Sequence, residues 1–479
     1  MKKNRLILFI LAATLTIITC KPTEQVDLVI SNTNVIDVIQ GKTITGQDVI
    51  INGDKIQSIK PHEESPLKSK NLINGEGKYL IPGLWDMHVH TGDADIFFPL
   101  YVANGITGVR DMGGGLDQST GNLSVKFEKL SAWRYEVTRG ERLGPEFILA
   151  GAMIDGSPTY WPGNIGVTDS TSIHEAVSRQ KELGVDFIKV YHNLDPEQLT
   201  EVAHASKKNN IRFAGHIPIS FPPMETLIKA STLGQSSIEH MIQVQVAISQ
   251  GDIQVHSFMD VADACQKIIN RIDLEKEQRL YKVFKENDTW LTPTVSVWWG
   301  VGQLNQEQDE ILGKWLQHIP KYIFTEWNRN PFQDTQSINH SAKDYETFRE
   351  AALSMAKVAK RMFDSGVNLM AGSDSANPMI IPGYGLHKEL ELLVEGGFSP
   401  VEALRLATIN PAKFLERTDV GQLAPNFKAD IIILDKNPLD DIKNTTLISG
   451  VILRGKSINR EKLDQMLSEA KSLVTKNIN

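Results

Sequence analysis

Four of the twelve histidines in this chain, His88, His90, His216 and His240, close short apolar runs, and Asp374 follows another in Met370-Ala371-Gly372-Ser373-Asp374. Imidazole nitrogens and a carboxylate are the donors that hold zinc or a similar divalent cation. His88 and His90 are two residues apart, so on a strand both rings lie on one face and reach one ion. A lone histidine is more often a packed or solvated residue than a ligand, and His-x-His by itself is a weak signal. Five such donors at the ends of apolar runs make a ligand set the better reading. Lys189 joins them from inside Phe187-Ile188-Lys189-Val190-Tyr191, where an inward-facing ammonium is costly unless partnered. An uncharged lysine amine adds carbon dioxide to give a carbamate, whose oxygens bridge two cations; a lysine paired with a carboxylate is the competing reading. His62, His174, His204, His256, His318 and His340 lie away from run ends and read as structural. His192 falls in a turn and carries no assignment.

Donors spread over nearly 300 positions need a scaffold that gathers strand ends. Eight apolar runs cross the middle of the chain, around Leu84–His90, Ile106–Arg110, Phe147–Ala150, Phe187–Tyr191, Arg212–His216, Ser237–His240, Trp290–Thr294 and Val367–Gly372. They alternate with amphipathic helical stretches. This pattern predicts an α/β chain with a (β/α)8 TIM barrel over 83–411, whose strand C-terminal ends carry the reactive residues. An open doubly wound sheet is the alternative, but no Gly-x-Gly-x-x-Gly turn follows any of these runs. Short alternating segments such as Val26–Ile30 and Asp48–Ile51, cut by Asn52-Gly53-Asp54, recur in Ala429–Leu434 and Leu447–Leu453. They predict antiparallel strands of one small flanking β-sandwich built from both termini, over 20–82 and 412–459. A charged helical pattern, assigned to 460–479, packs outside or frays. The stretch 295–366 carries Trp298, Trp299, Trp315, Tyr322, Trp327 and Phe332. It is either a helical insertion with its own core or a lid that shapes a pocket for bulky apolar groups.

The 479 residues are 41% hydrophobic and 23% charged, enough for two or three domains and a large core. Lys plus Arg number 50 against 58 Asp plus Glu, a formal charge of −8 with no basic block, which argues against nucleic acid as a partner. Two cysteines, Cys20 and Cys265, cannot make a disulfide scaffold. Lys2, Lys3 and Arg5 precede the apolar run Leu6–Ile18, too short to span a bilayer but suited to the core of a secretory signal. Ending in Ile17-Ile18-Thr19-Cys20, it resembles a bacterial lipoprotein signal. That resemblance implies removal of 1–19, a lipid on Cys20 as the first mature residue, and export to the periplasm or cell envelope with a membrane tether. Thr19 departs from the usual Gly, Ala or Ser, and an ordinary cleaved signal peptide is the alternative. Cleavage leaves 47 basic residues against 58 acidic, a charge of −11, and leaves Cys265 as a buried apolar thiol.

Leu80-Ile81-Pro82-Gly83-Leu84-Trp85-Asp86-Met87-His88-Val89-His90 resembles the opening of the amidohydrolase superfamily of metal-dependent hydrolases. The resemblance runs from Val26 to Lys456 and includes Ala407–Ala412 and Gly421–Asp430, the return into the flanking β domain. Ile188–Tyr191, Gly385–Leu390 and Gly397–Leu404 are similar to the prolidase-like and imidazolonepropionase-like branches. The resemblance implies two divalent ions, zinc by preference: one held by His88, His90 and Asp374, the other by His216 and His240, with a CO2-derived carbamate on Lys189 between them. It also implies a metal-bridging hydroxide as nucleophile, with Asp374 as the catalytic general base and acid. Tyr191 and His387 are candidate substrate contacts, each with a packing role as the alternative. Asp111 reads equally well as a structural partner of Arg110. The expected activity is hydrolysis of amide bonds in dipeptides or N-acyl amino acids. Alternatives are a lactonase or cyclic-amide hydrolase on the same metals and, from another class, a non-catalytic relative on the same scaffold. A small-molecule substrate is the expected partner, and a homo-oligomer stays open.

Overall fold

The computed structural model describes residues 26–63, 69–115, 125–161, 163–251, 253, 261–305, 310–327 and 340–476. The leader with Cys20, together with His256 and Phe332, lies outside them. Both ends of the described chain enter one eight-stranded sheet. Val26–Asp37, Lys42–Asn52, Lys55–Pro61, Ser69–Asn74 and Tyr79–Pro82 come from the N-terminal side; Ile431–Leu434, Ile448–Leu453 and Lys456–Asn459 come from the C-terminal side. The seam is the antiparallel pair Ile431↔Pro82 to Leu434↔Tyr79. Alternate side chains of these strands diverge. Leu80, Ile431, Ile433 and Ile452 close a core with Leu28, Ile30, Val49 and Ile51, whereas Ile81, Ile432 and Val451 turn into the main core of the chain. The expectation of purely antiparallel strands is corrected in one place: Val26–Asp37 pairs in parallel with Ser69–Asn74 and Tyr79–Pro82. Register shifts between Ile30 and Val35 let this one long strand serve several partners, since a bulge bends the strand that carries it.

The middle of the chain supplies parallel strands. Leu84–Val89, Ile106–Asp111 and Glu146–Leu149 pair in one sheet; Phe187–Val190, Arg212–Gly215, Ser237–Glu239 and Trp290–Thr292 pair in another, which also holds Ile154–Gly156 and Ile165–Val167. These strands are almost wholly buried and rich in Ile, Val and Leu, as parallel strands covered on both faces must be. Helices cross between them, for example Ala94–Ala103, Ser170–Leu183, Pro196–Lys208 and Pro223–Thr232. Capping sets where they start: Asp169 and Asp195 each accept from the backbone three residues on, and Ser172 and Gln198 bond back. Seven of the eight expected runs are strands. The eighth, Val367–Gly372, joins through a single parallel bridge from Leu369 to Leu291 and a bond from the Met87 N–H to the Ala371 carbonyl. The paired strands do not close into one continuous sheet; the bridges Ala150↔Phe187, Leu291↔Leu369 and Val89↔Ser375 lie at the joins.

Arg460–Lys476 is a helix that packs rather than frays, burying Leu463, Met466, Leu467, Ala470 and Val474. It lies against Ala94–Ala103. Described aromatic residues of the 295–366 stretch pack on other elements of the chain. Trp298 packs on Phe348 of the long helix Ala342–Asp364, Trp315 stacks on Tyr384, and the Trp327 indole N–H donates to the Ala376 carbonyl at 2.8 Å. Trp298 and Trp327 thus belong to the main core rather than to a separate one. No helix among the described residues is long and apolar enough to cross a membrane.

Candidate metal centre

His88 lies near the end of the strand Leu84–Val89 and is fully buried; His90 follows it and keeps 23% of its side chain exposed. Asp374 approaches both. Its Oδ1 is 3.5 Å from His88 Nε2 and 3.4 Å from His90 Nε2, too far for good hydrogen bonds and suited to three donors around one cation. The ligating atoms of these three residues lie within 4.8 Å of one another. Asp374 is in the left-handed region, φ +58°, with its N–H bonded to the His88 carbonyl at 2.7 Å. A non-glycine residue pays for that conformation, which persists where its surroundings over-determine it. Here they do: a Cβ on Gly372 would come within 2.8 Å of His88, so glycine is what lets this segment lie against the histidine strand. Asp86 anchors it further by accepting from the Ser373 N–H and hydroxyl at 2.8 and 2.6 Å.

The second group of donors lies alongside. His216 follows Gly215, whose φ of +136° and Cβ position, 2.4 Å from the Val190 carbonyl oxygen, admit no side chain. His240 Nε2 is 2.8 Å from His216 Nε2, and His240 Nδ1 is 2.7 Å from Thr294 Oγ1. Ring centroids step from His90 to His88 at 5.6 Å, to His240 at 4.8 Å and to His216 at 4.4 Å, so the two groups form one continuous cluster. Lys189 is 1% exposed and, among the described residues, its Nζ has no hydrogen-bond partner. Burial lowers this amine to about 8, against the upward pull of Glu239 and Asp374.

Burial likewise holds the imidazoles in their neutral, ligating form, lowering His88 to about 3 and His240 to about 4, and pushing His216 well below its ordinary value. Burial alone would raise the Asp374 carboxyl, but His88, His90 and His240 outweigh it and keep the group far below the usual carboxylate range. His88 Nε2, Asp374 Oδ1 and Lys189 Nζ are all buried without hydrogen-bond partners among the described residues. Unsatisfied buried polar atoms are rare and costly, and here they converge on the donors that suit divalent ions, so the residues fit such a group.

Three groups that sequence reading passed over support this cluster. Glu239, wholly buried, accepts from His88 Nδ1 at 2.9 Å, from Arg110 at 2.8 and 2.9 Å and from Ser237 at 2.5 Å. Arg110 does not pair with Asp111 as expected, because adjacent strand residues face opposite ways; Asp111 instead accepts from the Thr91 and Gly113 N–H groups. A charge inside each of two buried apolar runs, Arg110 and Glu239, was the available signal. Thr294 left none. His192, unassigned from sequence, places Nε2 2.5 Å from His216 Nδ1.

The expected substrate contacts separate. Tyr191 lies over the cluster, its ring 4.4 Å from that of His216 and its hydroxyl accepting from the Trp161 indole at 2.8 Å. His387 is not brought to the donors. It sits on the helix Tyr384–Glu395 with its two nitrogens 2.9 Å from Thr445 Oγ1 and the Asn104 carbonyl, so it ties helix to loops.

The amidohydrolase family model matches residues 79–458. Ochratoxinase of Aspergillus niger is 23% identical over 402 residues, covering 76% of this chain and 72% of that protein. An adenine deaminase of Clostridium perfringens is 48% identical, but over 66 residues only, so the chain spans 11% of that relative's length. Among solved structures, a Xaa-Pro dipeptidase with methionine bound in its active site is similar at TM-score 0.64 and 20% identity, covering 90% of this chain and 99% of that one. Bottromycin amidohydrolase is similar at TM-score 0.69 and 18% identity, covering 93% and 90%. With the family match spanning most of the chain, the protein belongs to the amidohydrolase family and is a metal-dependent hydrolase of carbon–nitrogen bonds.

Proposed function

We propose that this protein hydrolyses the amide bond of dipeptides or N-acyl amino acids at a binuclear centre. His88, His90 and Asp374 would hold one divalent ion, zinc by preference, and His216 and His240 the other, with Lys189, as a carbamate, supplying further oxygen donors. Buried His88 Nε2, Asp374 Oδ1 and Lys189 Nζ, none with a hydrogen-bond partner among the described residues, beside the run of adjoining imidazoles, are the observation that carries this reading. When bound, the ions supply Lewis-acid chemistry, activating water and polarising a carbonyl. The chain does the rest. The depressed Lys189 amine offers its uncharged form to carbon dioxide. Asp374 takes a proton at a carboxylate oxygen from the attacking water and returns it to the leaving amine nitrogen. Tyr191, whose oxygen is fixed by Trp161, directs its own hydroxyl hydrogen to a substrate oxygen. The half-buried rings of Tyr160 and Trp161, 5.4 Å apart and continuous with Tyr191, offer an apolar face for a side chain beside the scissile bond. The eight parallel segments, joined through their bridges, are taken to form a closed (β/α)8 barrel over 83–411, flanked by the composite domain of 20–82 and 412–459.

The test is a panel of dipeptides, N-acyl amino acids and lactones, read for released amine and released acid after reconstitution with zinc and bicarbonate. Amine release from open amides, lowered ~10²–10⁴-fold in Asp374→Asn, is the expected result. Turnover of lactones alone, or no metal taken up, overturns the reading. We also propose export as a lipoprotein, supported by Lys2, Lys3, Arg5, the Leu6–Ile18 run and Cys20. Expressed in a bacterial host with labelled fatty acid, the chain should carry label that Cys20→Ala abolishes; an unlabelled wild type rules the lipid out.

A further inference from the structure

His216 is flanked by an imidazole on each of its nitrogens. Nε2 faces His240 Nε2 at 2.8 Å, and Nδ1 faces His192 Nε2 at 2.5 Å. His192 is buried, edge-on to Tyr160 at 5.0 Å and 4.2 Å from the Tyr191 ring, and its remaining nitrogen, Nδ1, has no hydrogen-bond partner among the described residues. A neutral imidazole carries one N–H and one lone pair, and the partner of one nitrogen decides what the other offers.

The proton on His216 has two places to go. If it sits on Nε2, it bonds to His240 Nε2, and the gap between the two rings is filled by hydrogen. A cation is then shut out. If it sits on Nδ1, it bonds to His192 Nε2, and the His216 Nε2 lone pair turns towards His240 Nε2. His240 can donate its own N–H from Nδ1 to Thr294, 2.7 Å away, which bares its Nε2 as well. Two bare nitrogens 2.8 Å apart repel one another unless a cation is shared between them. The change from the first arrangement to the second moves the proton of His192 from Nε2 to Nδ1 and that of His216 from Nε2 to Nδ1, so no proton is lost from the trio.

We propose that His192 is a positioning residue of the second cation site: its Nε2 accepts the His216 Nδ1–H and so keeps the His216 Nε2 lone pair directed at a divalent cation. Thr294 does the same for His240. The inference rests on the binuclear reading above. It adds a residue that touches neither ion nor substrate and that decides whether the second ion binds. Outer partners of this kind orient the ligating ring, and their loss typically costs ~10–100-fold in metal affinity.

Two substitutions separate hydrogen bonding from packing. His192→Phe keeps a flat ring against Tyr160 and Tyr191 but accepts no hydrogen bond. His192→Gln loses the ring but retains a side-chain oxygen acceptor. Zinc binding to the full-length protein is measured by equilibrium dialysis with bicarbonate, and cobalt substitution reports the coordination of each ion by its visible spectrum. Wild type should bind two ions. His192→Phe should hold the first with unchanged affinity and bind the second ~10–100-fold more weakly, with the cobalt bands of that ion altered. His192→Gln should recover most of the second-site affinity. A Phe variant that binds both ions as wild type does overturns the assignment. If the Phe variant does not fold, the Gln variant decides: near wild-type affinity supports the acceptor role, and loss of the second ion refutes it. A wild type that binds fewer than two ions defeats the binuclear reading itself, a different result from two ions retained in the variants.

Discussion

Lys189→Ala is expected to lower the bound zinc from two ions per chain towards one and to reduce turnover by more than the ~10–100-fold that loss of an outer partner costs. The expectation follows from what surrounds the amine. Lys189 is buried in the interior, burial depresses it to about 8, and no acceptor among the described residues reaches its Nζ. A permanently charged lysine in that position would leave an unpaid desolvation cost beside Arg110, which also disfavours its cation. Conversion to an anionic carbamate removes the conflict and adds two oxygen donors next to the imidazoles. Removing the side chain removes those donors but leaves His88, His90 and Asp374 intact, so one ion should stay. Metal analysis of wild type and variant, each prepared with and without bicarbonate, checks this. Equal metal content and equal turnover would remove the bridging role, and a wild type insensitive to bicarbonate would remove the carbamate.

The largest effect on stability is expected at Glu239. Its carboxylate neutralises Arg110, which is itself 1% exposed and also bonds the Met87 carbonyl, Ser237 and Thr292. Glu239→Gln leaves that guanidinium buried without a counter-charge, and breaking a buried pair from one side costs ~3–5 kcal/mol. Against a total stability of ~5–15 kcal/mol this is a large fraction. Arg110→Met combined with Glu239→Gln should be less damaging than Glu239→Gln alone, because no lone charge remains. Urea unfolding of the two variants measures the difference. A Glu239→Gln midpoint indistinguishable from wild type would mean that the pair is not the buried charge balance described. The same substitution weakens the acceptor of the His88 Nδ1–H, so zinc affinity at the His88, His90 and Asp374 group should fall as well.

Much of this was legible from residue order. His-x-His on a strand, single histidines closing two further strands and the aspartate beyond the last run all lie in the cluster, because strand ends in a parallel α/β arrangement collect at one face. The buried strands announced themselves as continuous Ile, Val and Leu runs, and the termini as alternating ones. What failed did so for definite reasons. The Arg110–Asp111 pair was excluded by strand alternation. His387, Trp298 and Trp327 were placed by helix packing, which periodicity does not specify, and they are buried.

Residue type and spacing alone determined which donors exist and that they sit at strand ends, since local alternation and apolar patterning act over a few residues. Tertiary structure decided which groups meet across long separations: Glu239 with Arg110 and His88, His192 with His216, Thr294 with His240. Those contacts depend on register between neighbouring strands and on side-chain direction. They are fixed only when the buried charges and orphaned nitrogens must all find partners in one closed interior.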